Sequence, residues 1–196
     1  MHRTMFNTPV LRHVMRALTG VFLKVTGWRA KSELPADVTR TVMIGAPHTS
    51  NWDMPYMLSV MLALRMDVYW MGKASLFRFP LGTVMKLMGG IPVNRGKSEN
   101  VVATSIEALK NAKGALHLAL SPEGTRARVT QWKTGFYYIA TGAGVPILLG
   151  YLDYGNKVGG FGPLFHPTGD LEADLVTIKA YYAPIKGKNP NQFKLD

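Results

Sequence analysis

Apolar residues recur at helical spacing from the start of the chain. Leu11, Val14, Met15, Leu18, Phe22 and Val25 share one face of a helix expected over Met5–Gly27, with Arg12, His13, Arg16 and Lys24 opposite. The stretch Gly27–Arg40 is polar, contains Pro35 and reads as a linker. Beyond it, short apolar runs suited to buried strands alternate with helical patterns. Strands are predicted over Thr41–Ala46, Val68–Met71, Ile91–Val93, Ala115–Leu120 and Val145–Leu152. Helices are predicted over Asn51–Leu64, Leu81–Met88, Glu99–Asn111, Thr134–Ala143 and Leu171–Tyr181, with a Gly-rich, hairpin-like stretch near Gly155–Gly162. The alternation implies an α/β fold: a single, mostly parallel sheet flanked by helices and preceded by an N-terminal amphipathic helix. Residues 1–33 are expected to form an amphipathic, membrane-associating helix and linker, and 34–196 the α/β domain.

Length and composition narrow this picture. At 196 residues, 47% of them hydrophobic, the chain can bury one real core. It has no cysteine, which excludes disulfides, cysteine nucleophiles and thiolate metal sites. The formal net charge of +11 favours anionic partners without choosing among nucleic acid, acidic lipid and phosphorylated substrates. Six basic residues and no acidic ones lie between Met1 and Lys31. No apolar run reaches the roughly 18–20 residues of a spanning helix. A secretory pattern is absent as well, so a cytosolic or peripheral protein is expected.

In open α/β sheets, sites gather beyond the carboxyl ends of strands. Three polar clusters follow predicted strands directly: Pro47–Asp53, Asn94–Arg95 and Ser121–Arg126. In the first, His48 in a turn and Asp53 in the first helical turn can act as a base and its orienting carboxylate. The competing reading takes Ser50 and Asp53 as a capping-box-like pair and His48 as a loop side chain. A backbone N–H of the Thr49–Asn51 turn is a candidate oxyanion donor. The second cluster, GGIPVNRGKS, fails the nucleotide-loop spacing by one residue and leaves Arg95 at a strand end. In the third, Pro122 and Gly124 make a tight turn and Arg126 presents a fork suited to a phosphate monoester. Glu123 is placed to pair with Arg126 or to hold a substrate hydroxyl. There is no G-x-S-x-G elbow and no H-E-x-x-H, and the five histidines are dispersed, so no metal site is expected. His117 lies in an apolar strand and reads as a core residue.

With the clusters in order, the sequence resembles the glycerophospholipid acyltransferase family, of the lysophosphatidate (1-acylglycerol-3-phosphate O-acyltransferase) type. The residues that carry the resemblance are His48-Thr-Ser-Asn-Trp-Asp53, Gly89-Gly-Ile-Pro-Val-Asn-Arg95, Glu123-Gly124-Thr125-Arg126 and Val145-Pro146-Ile147. It implies acyl transfer from acyl-CoA or acyl carrier protein to a lysophospholipid hydroxyl, most simply 1-acylglycerol-3-phosphate giving phosphatidate. His48 would be the general base and Asp53 its partner. Arg95 and the Glu123, Gly124, Thr125, Arg126 block would form the acceptor site. No cofactor beyond the thioester co-substrate is implied, and no metal.

The expected partners are the acyl thioester, a phosphorylated lyso-lipid and an anionic membrane surface, not nucleic acid. The expected location is peripheral, on the cytoplasmic face of the cell membrane. Two alternatives stand beside this: a basic nucleic-acid-binding module, supported by charge alone, and an inactive lipid-binding protein of the same fold.

Overall fold

A computed structural model describes residues 2–93 and 98–195. Seven strands form one sheet: β1 (Arg29–Ser32), β2 (Arg40–Gly45), β3 (Val68–Lys73), β4 (Gly90–Val93), β5 (Leu116–Leu120), β6 (Ile147–Asp153) and β7 (Val158–Phe165). Their order is β1-β7-β6-β2-β5-β3-β4. Every neighbouring pair is parallel except the β6–β7 hairpin. The parallel centre agrees with the apolar character of β2, whose Thr41–Ile44 are all buried, because such strands are covered on both faces.

The described residues include the α-helices α1 (Pro9–Thr26), α2 (Asp53–Ala63), α3 (Leu81–Leu87), α4 (Ser98–Lys110), α5 (Gly135–Ala143) and α6 (Leu171–Tyr182). On one sheet face, Val42 and Ile44 pack with Leu109 of α4, Phe136 and Ile139 of α5, and Ile178 and Tyr182 of α6. On the other, Met43 packs with Leu58, Met61 and Leu62 of α2 and with Met5 and Phe6. Val42, Met43 and Ile44 thus point alternately to the two layers, as strand geometry requires. Helix α1 runs along α2, where Leu23 joins Trp28, Val60 and Leu152 in a smaller cluster.

Two expectations need correction. The stretch 27–40, read as a linker, contains β1, an edge strand paired in parallel with β7. Apart from the half-buried Ala30 its residues are polar and exposed, because backbone pairing more than side-chain burial holds it to the sheet. The second concerns α1. Arg12 and Arg16, expected to face solvent, are half-buried, as are Leu11, Met15 and Phe22. Their charges act on the Asp67 carboxyl, opposing the upward push that burial gives its pKa. Val14, Leu18 and Val25, read as one face with Leu11, Met15 and Phe22, are exposed together with Val10 and Val21. The apolar arc of α1 is wider than α2 can cover. No helix among the described residues is long and apolar enough to cross a membrane.

Candidate active site

Strands β2 and β5 are parallel neighbours, with Ile44 opposite Leu120. The turns leaving their carboxyl ends therefore emerge side by side. The β2 turn runs from Ala46 to Trp52 and enters α2 at Asp53. The β5 turn contains Glu123 and Arg126, with Gly124 in the left-handed region at φ 65°. Any side chain at that glycine would be strained in its backbone and would press on the Lys133 side chain.

His48 and Asp53 meet: His48 Nδ1 lies 3.0 Å from Asp53 Oδ2. The Asp53 side chain is only 6% exposed and that of His48 is 28% exposed, so the carboxylate is enclosed while the ring reaches the surface. Oδ2 also accepts the backbone N–H groups of Thr49 at 2.8 Å and Ser50 at 2.9 Å. An acceptor at Oδ2 places the proton of a neutral imidazole on Nδ1 and leaves the Nε2 lone pair available. Helix α2 begins at Asp53 with Trp52 at its N-cap and no side-chain cap, so Ser50 and Asp53 do not form the expected capping-box pair; the Ser50 hydroxyl instead accepts the Trp52 N–H at 3.2 Å. The Asp53 carboxylate thus holds the His48–Ser50 backbone turn and the imidazole together. The oxyanion expectation is narrowed by the same contacts, since the N–H groups of Thr49 and Ser50 are engaged by Asp53 and that of His48 by Glu123.

Glu123 is almost completely buried, and its Oε1 accepts the His48 backbone N–H at 2.7 Å. Burial pushes its pKa up to about 8; the nearby Asp53 charge adds to this and the His48 N–H opposes it. The expected pair with Arg126 is not formed among the described residues; Glu123 holds the His48 turn instead. Arg126 donates from Nε to the Ser50 carbonyl at 3.2 Å, which ties its guanidinium to the His48 turn. Thr125 is exposed, and its hydroxyl accepts the Ala127 N–H at 3.3 Å. Arg95 lies outside the described residues.

Several contacts had no signal in the sequence. The Tyr154 hydroxyl donates to Asp53 Oδ1 at 2.8 Å. Asn189 donates from its backbone to Thr49 Oγ1 at 3.2 Å and from Nδ2 to the Thr49 carbonyl at 2.7 Å. The Gln192 amide, oriented to suit its surroundings, donates to the same carbonyl at 2.8 Å and to that of Arg126 at 3.0 Å. Together with Thr49–Trp52 and Arg126, these two residues line an open polar cavity of about 420 Å³. The Lys188 ammonium lies 5.4 Å from the centre of the Trp52 ring.

The family model described as Acyltransferase matches residues 31–148, more than half of the chain. The chain belongs to the acyltransferase family. Two curated members, the 1-acyl-sn-glycerol-3-phosphate acyltransferases of Salmonella typhimurium and Salmonella typhi, are each 30% identical over 131 residues. Those alignments cover 62% of this chain and 51% of each relative, so this acyltransferase chain spans about half the length of the curated relatives it matches. Among solved structures, that of the 1-acyl-sn-glycerophosphate acyltransferase PlsC from Thermotoga maritima superposes with a TM-score of 0.59 at 18% identity. The superposition covers 91% of this acyltransferase chain and 81% of that protein, and it shows a shared fold. All the described site residues expected from the sequence fall inside the matched range, whereas Tyr154, Asn189 and Gln192 fall beyond it.

Proposed function

We propose that this chain transfers a fatty acyl group from a thioester, acyl-CoA or acyl carrier protein, to the hydroxyl of 1-acylglycerol-3-phosphate, giving phosphatidate. The observation that carries the reading is the His48–Asp53 pair, with Nδ1 turned to a buried carboxylate and the ring partly open, beside Arg126 and a polar cavity. In this reading Nε2 takes the acceptor's hydroxyl proton as its oxygen attacks the thioester carbonyl. The tetrahedral intermediate then collapses, the C–S bond breaks, and the thiolate leaves with the proton held by His48. A positioned base contributes about 10²–10⁴-fold to such a step. The thioester is already activated, so no protein nucleophile is required.

Arg126 and Arg95 would hold the acceptor phosphate and so orient its hydroxyl. An apolar cleft of about 270 Å³ between α1 and α2, reaching Pro55 in the first turn of α2, offers room for part of an acyl chain.

The same reading places the chain on the cytoplasmic face of the cell membrane as a peripheral protein. Val10, Val14, Leu18, Val21 and Val25 form a stripe along α1 that is 50–80% exposed, flanked by the exposed His13 and Lys24. An apolar stripe beside basic side chains suits a helix lying in an anionic interface. The net charge of +11 is accounted for by an anionic acceptor and an anionic surface.

The deciding experiment offers acyl-CoA and acyl carrier donors against a panel of lyso-lipids with mass spectrometric readout, beside His48→Ala. Phosphatidate formation by the unmodified chain and its collapse in the variant are expected. Product formed only from a non-phosphorylated acceptor, or retained turnover in His48→Ala, would overturn the reading.

A further inference from the structure

Tyr154 follows the last residue of β6 and opens the turn into β7. It lies outside the motifs that brought His48, Asp53 and Arg126 to attention, and beyond the range of the family match. Its place is nonetheless strongly fixed. Asp153 Oδ1 accepts the Gly155 N–H at 3.0 Å and its Oδ2 the Asn156 side chain at 2.7 Å, holding the turn. The Tyr154 N–H donates to the Lys186 carbonyl at 2.9 Å. Its ring stands edge-on to Trp28 at 4.9 Å and to Tyr56 at 5.8 Å, and those two rings stack at 4.3 Å. An aromatic box drawn from the edge of the sheet and from α2 thus aims one hydroxyl at the Asp53 carboxylate.

The two Asp53 oxygens have different tasks. Oδ2 takes three donors, all from the His48–Ser50 turn. Oδ1 takes the Tyr154 hydroxyl at 2.8 Å. With both oxygens held, the carboxylate plane cannot turn away from the imidazole. Burial and the adjacent Asp53 charge raise the phenol's pKa, so it remains a donor throughout the working range.

We infer that Tyr154 is a positioning residue for acyl transfer: its hydroxyl locks the Asp53 carboxylate through Oδ1, keeping Oδ2 on His48 Nδ1 and Nε2 toward the acceptor. This rests on the base reading of His48 given above. The bland alternative is that Tyr154 is a packing residue whose hydroxyl happens to find an acceptor. The two differ in what Tyr154→Phe does, because that change keeps the ring and the box and removes only the donor.

The expected result for Tyr154→Phe is a fall in kcat of about tenfold, equivalent to about 1.4 kcal/mol in the barrier. The KM values for donor and acceptor should change by no more than about twofold, as for an interaction that matters mainly in the transition state. The acidic limb of kcat against pH should move to higher pH. A carboxylate that has lost a donor holds the imidazolium form of His48 more tightly, and only the neutral form accepts a proton. Tyr56→Phe, which removes a hydroxyl from the same box, should leave kcat and the pH profile unchanged.

Unmodified kcat and pH profile in Tyr154→Phe would overturn the inference. A fall in kcat matched by a lower melting temperature with an unshifted pH profile would also overturn it, since the role would then be structural. His48→Ala, assayed beside it, separates the two failures. Turnover surviving in His48→Ala overturns the base reading together with this one. Turnover lost in His48→Ala but intact in Tyr154→Phe overturns this one alone.

Discussion

The Glu123 carboxylate accepts the backbone N–H of His48 at 2.7 Å across 75 residues of sequence. The turn after β5 therefore holds the turn after β2 from below. The contact also has a signature in pH. Glu123 has an ordinary pKa of 4.5 and is pushed up to about 8 in the folded chain, chiefly by burial. Between those values the folded state keeps a proton that the unfolded state has released. Stability from this group therefore falls as pH rises from about 4.5 to about 8. Glu123→Gln keeps an oxygen acceptor for His48 and should flatten that slope, as read by urea unfolding across the range.

His117 contributes the opposite slope. It is buried beside Thr41, with Nδ1 2.9 Å from the Thr41 hydroxyl, and burial lowers its pKa to about 4 from 6.5. Below pH 6.5 the unfolded chain binds a proton that the folded chain refuses, so stability is lost as pH falls toward about 4. His117→Gln should remove most of this acid-side loss, measured by the same unfolding series. An unchanged slope would mean that His117 titrates in the folded state.

Asp53→Asn should lower kcat by about 10²–10⁴-fold. An amide in this place can turn an N–H toward the imidazole and invert its tautomer. It should also loosen the Thr49–Ser50 turn by about 1–3 kcal/mol, because buried N–H donors lose a charged acceptor. Single-turnover kinetics and thermal melting read the two effects separately.

Arg126→Lys keeps the charge and loses the planar fork. It also loses the Nε donor to the Ser50 carbonyl. The expected outcome is an acceptor KM raised by about tenfold with the donor KM unchanged, as for a group that recognises phosphate. Equal effects on both substrates would count against phosphate recognition.

The exposed stripe of α1 makes the membrane proposal testable without disturbing the core. Val14→Glu with Leu18→Glu should release the chain from anionic vesicles in a flotation assay while its melting temperature holds, since both side chains face solvent. The reversal Arg12→Glu with Arg16→Glu should behave differently. It would bring two carboxylates into the field of Asp67 and destabilise the packing of α1. Undiminished vesicle binding by the stripe variant would place the docking surface elsewhere.

Much of the fold and the centre of the site were legible because their signals are local. Alternating apolar runs marked β2, β3, β5 and β6, and the position of His48 and Asp53 at a strand end carried their pairing. Strand β1 was illegible because an exposed edge strand has no burial periodicity to display. For α1 a helical wheel shows one apolar face but not which part of it a neighbouring helix covers and which part stays exposed. Tyr154 meets Asp53 across 101 residues, and Asn189 meets Thr49 across 140. No spacing rule reaches so far; such contacts follow from the tertiary path of the chain.

The Thr49 turn is crossed by the segment around Gly187, where a Cβ would sit 2.8 Å from Thr49 Oγ1. That crossing is secured by amide hydrogen bonds at the surface and by Ile185, Phe193 and Leu195 packed on the rim of one apolar layer, whereas the sheet beneath is buried between two. The two should fail at different temperatures. On gentle warming the strap would peel first, and catalysis would fade while the circular dichroism of the sheet stayed intact. The working temperature would then be fixed by the docking of this segment and not by the strength of the sheet.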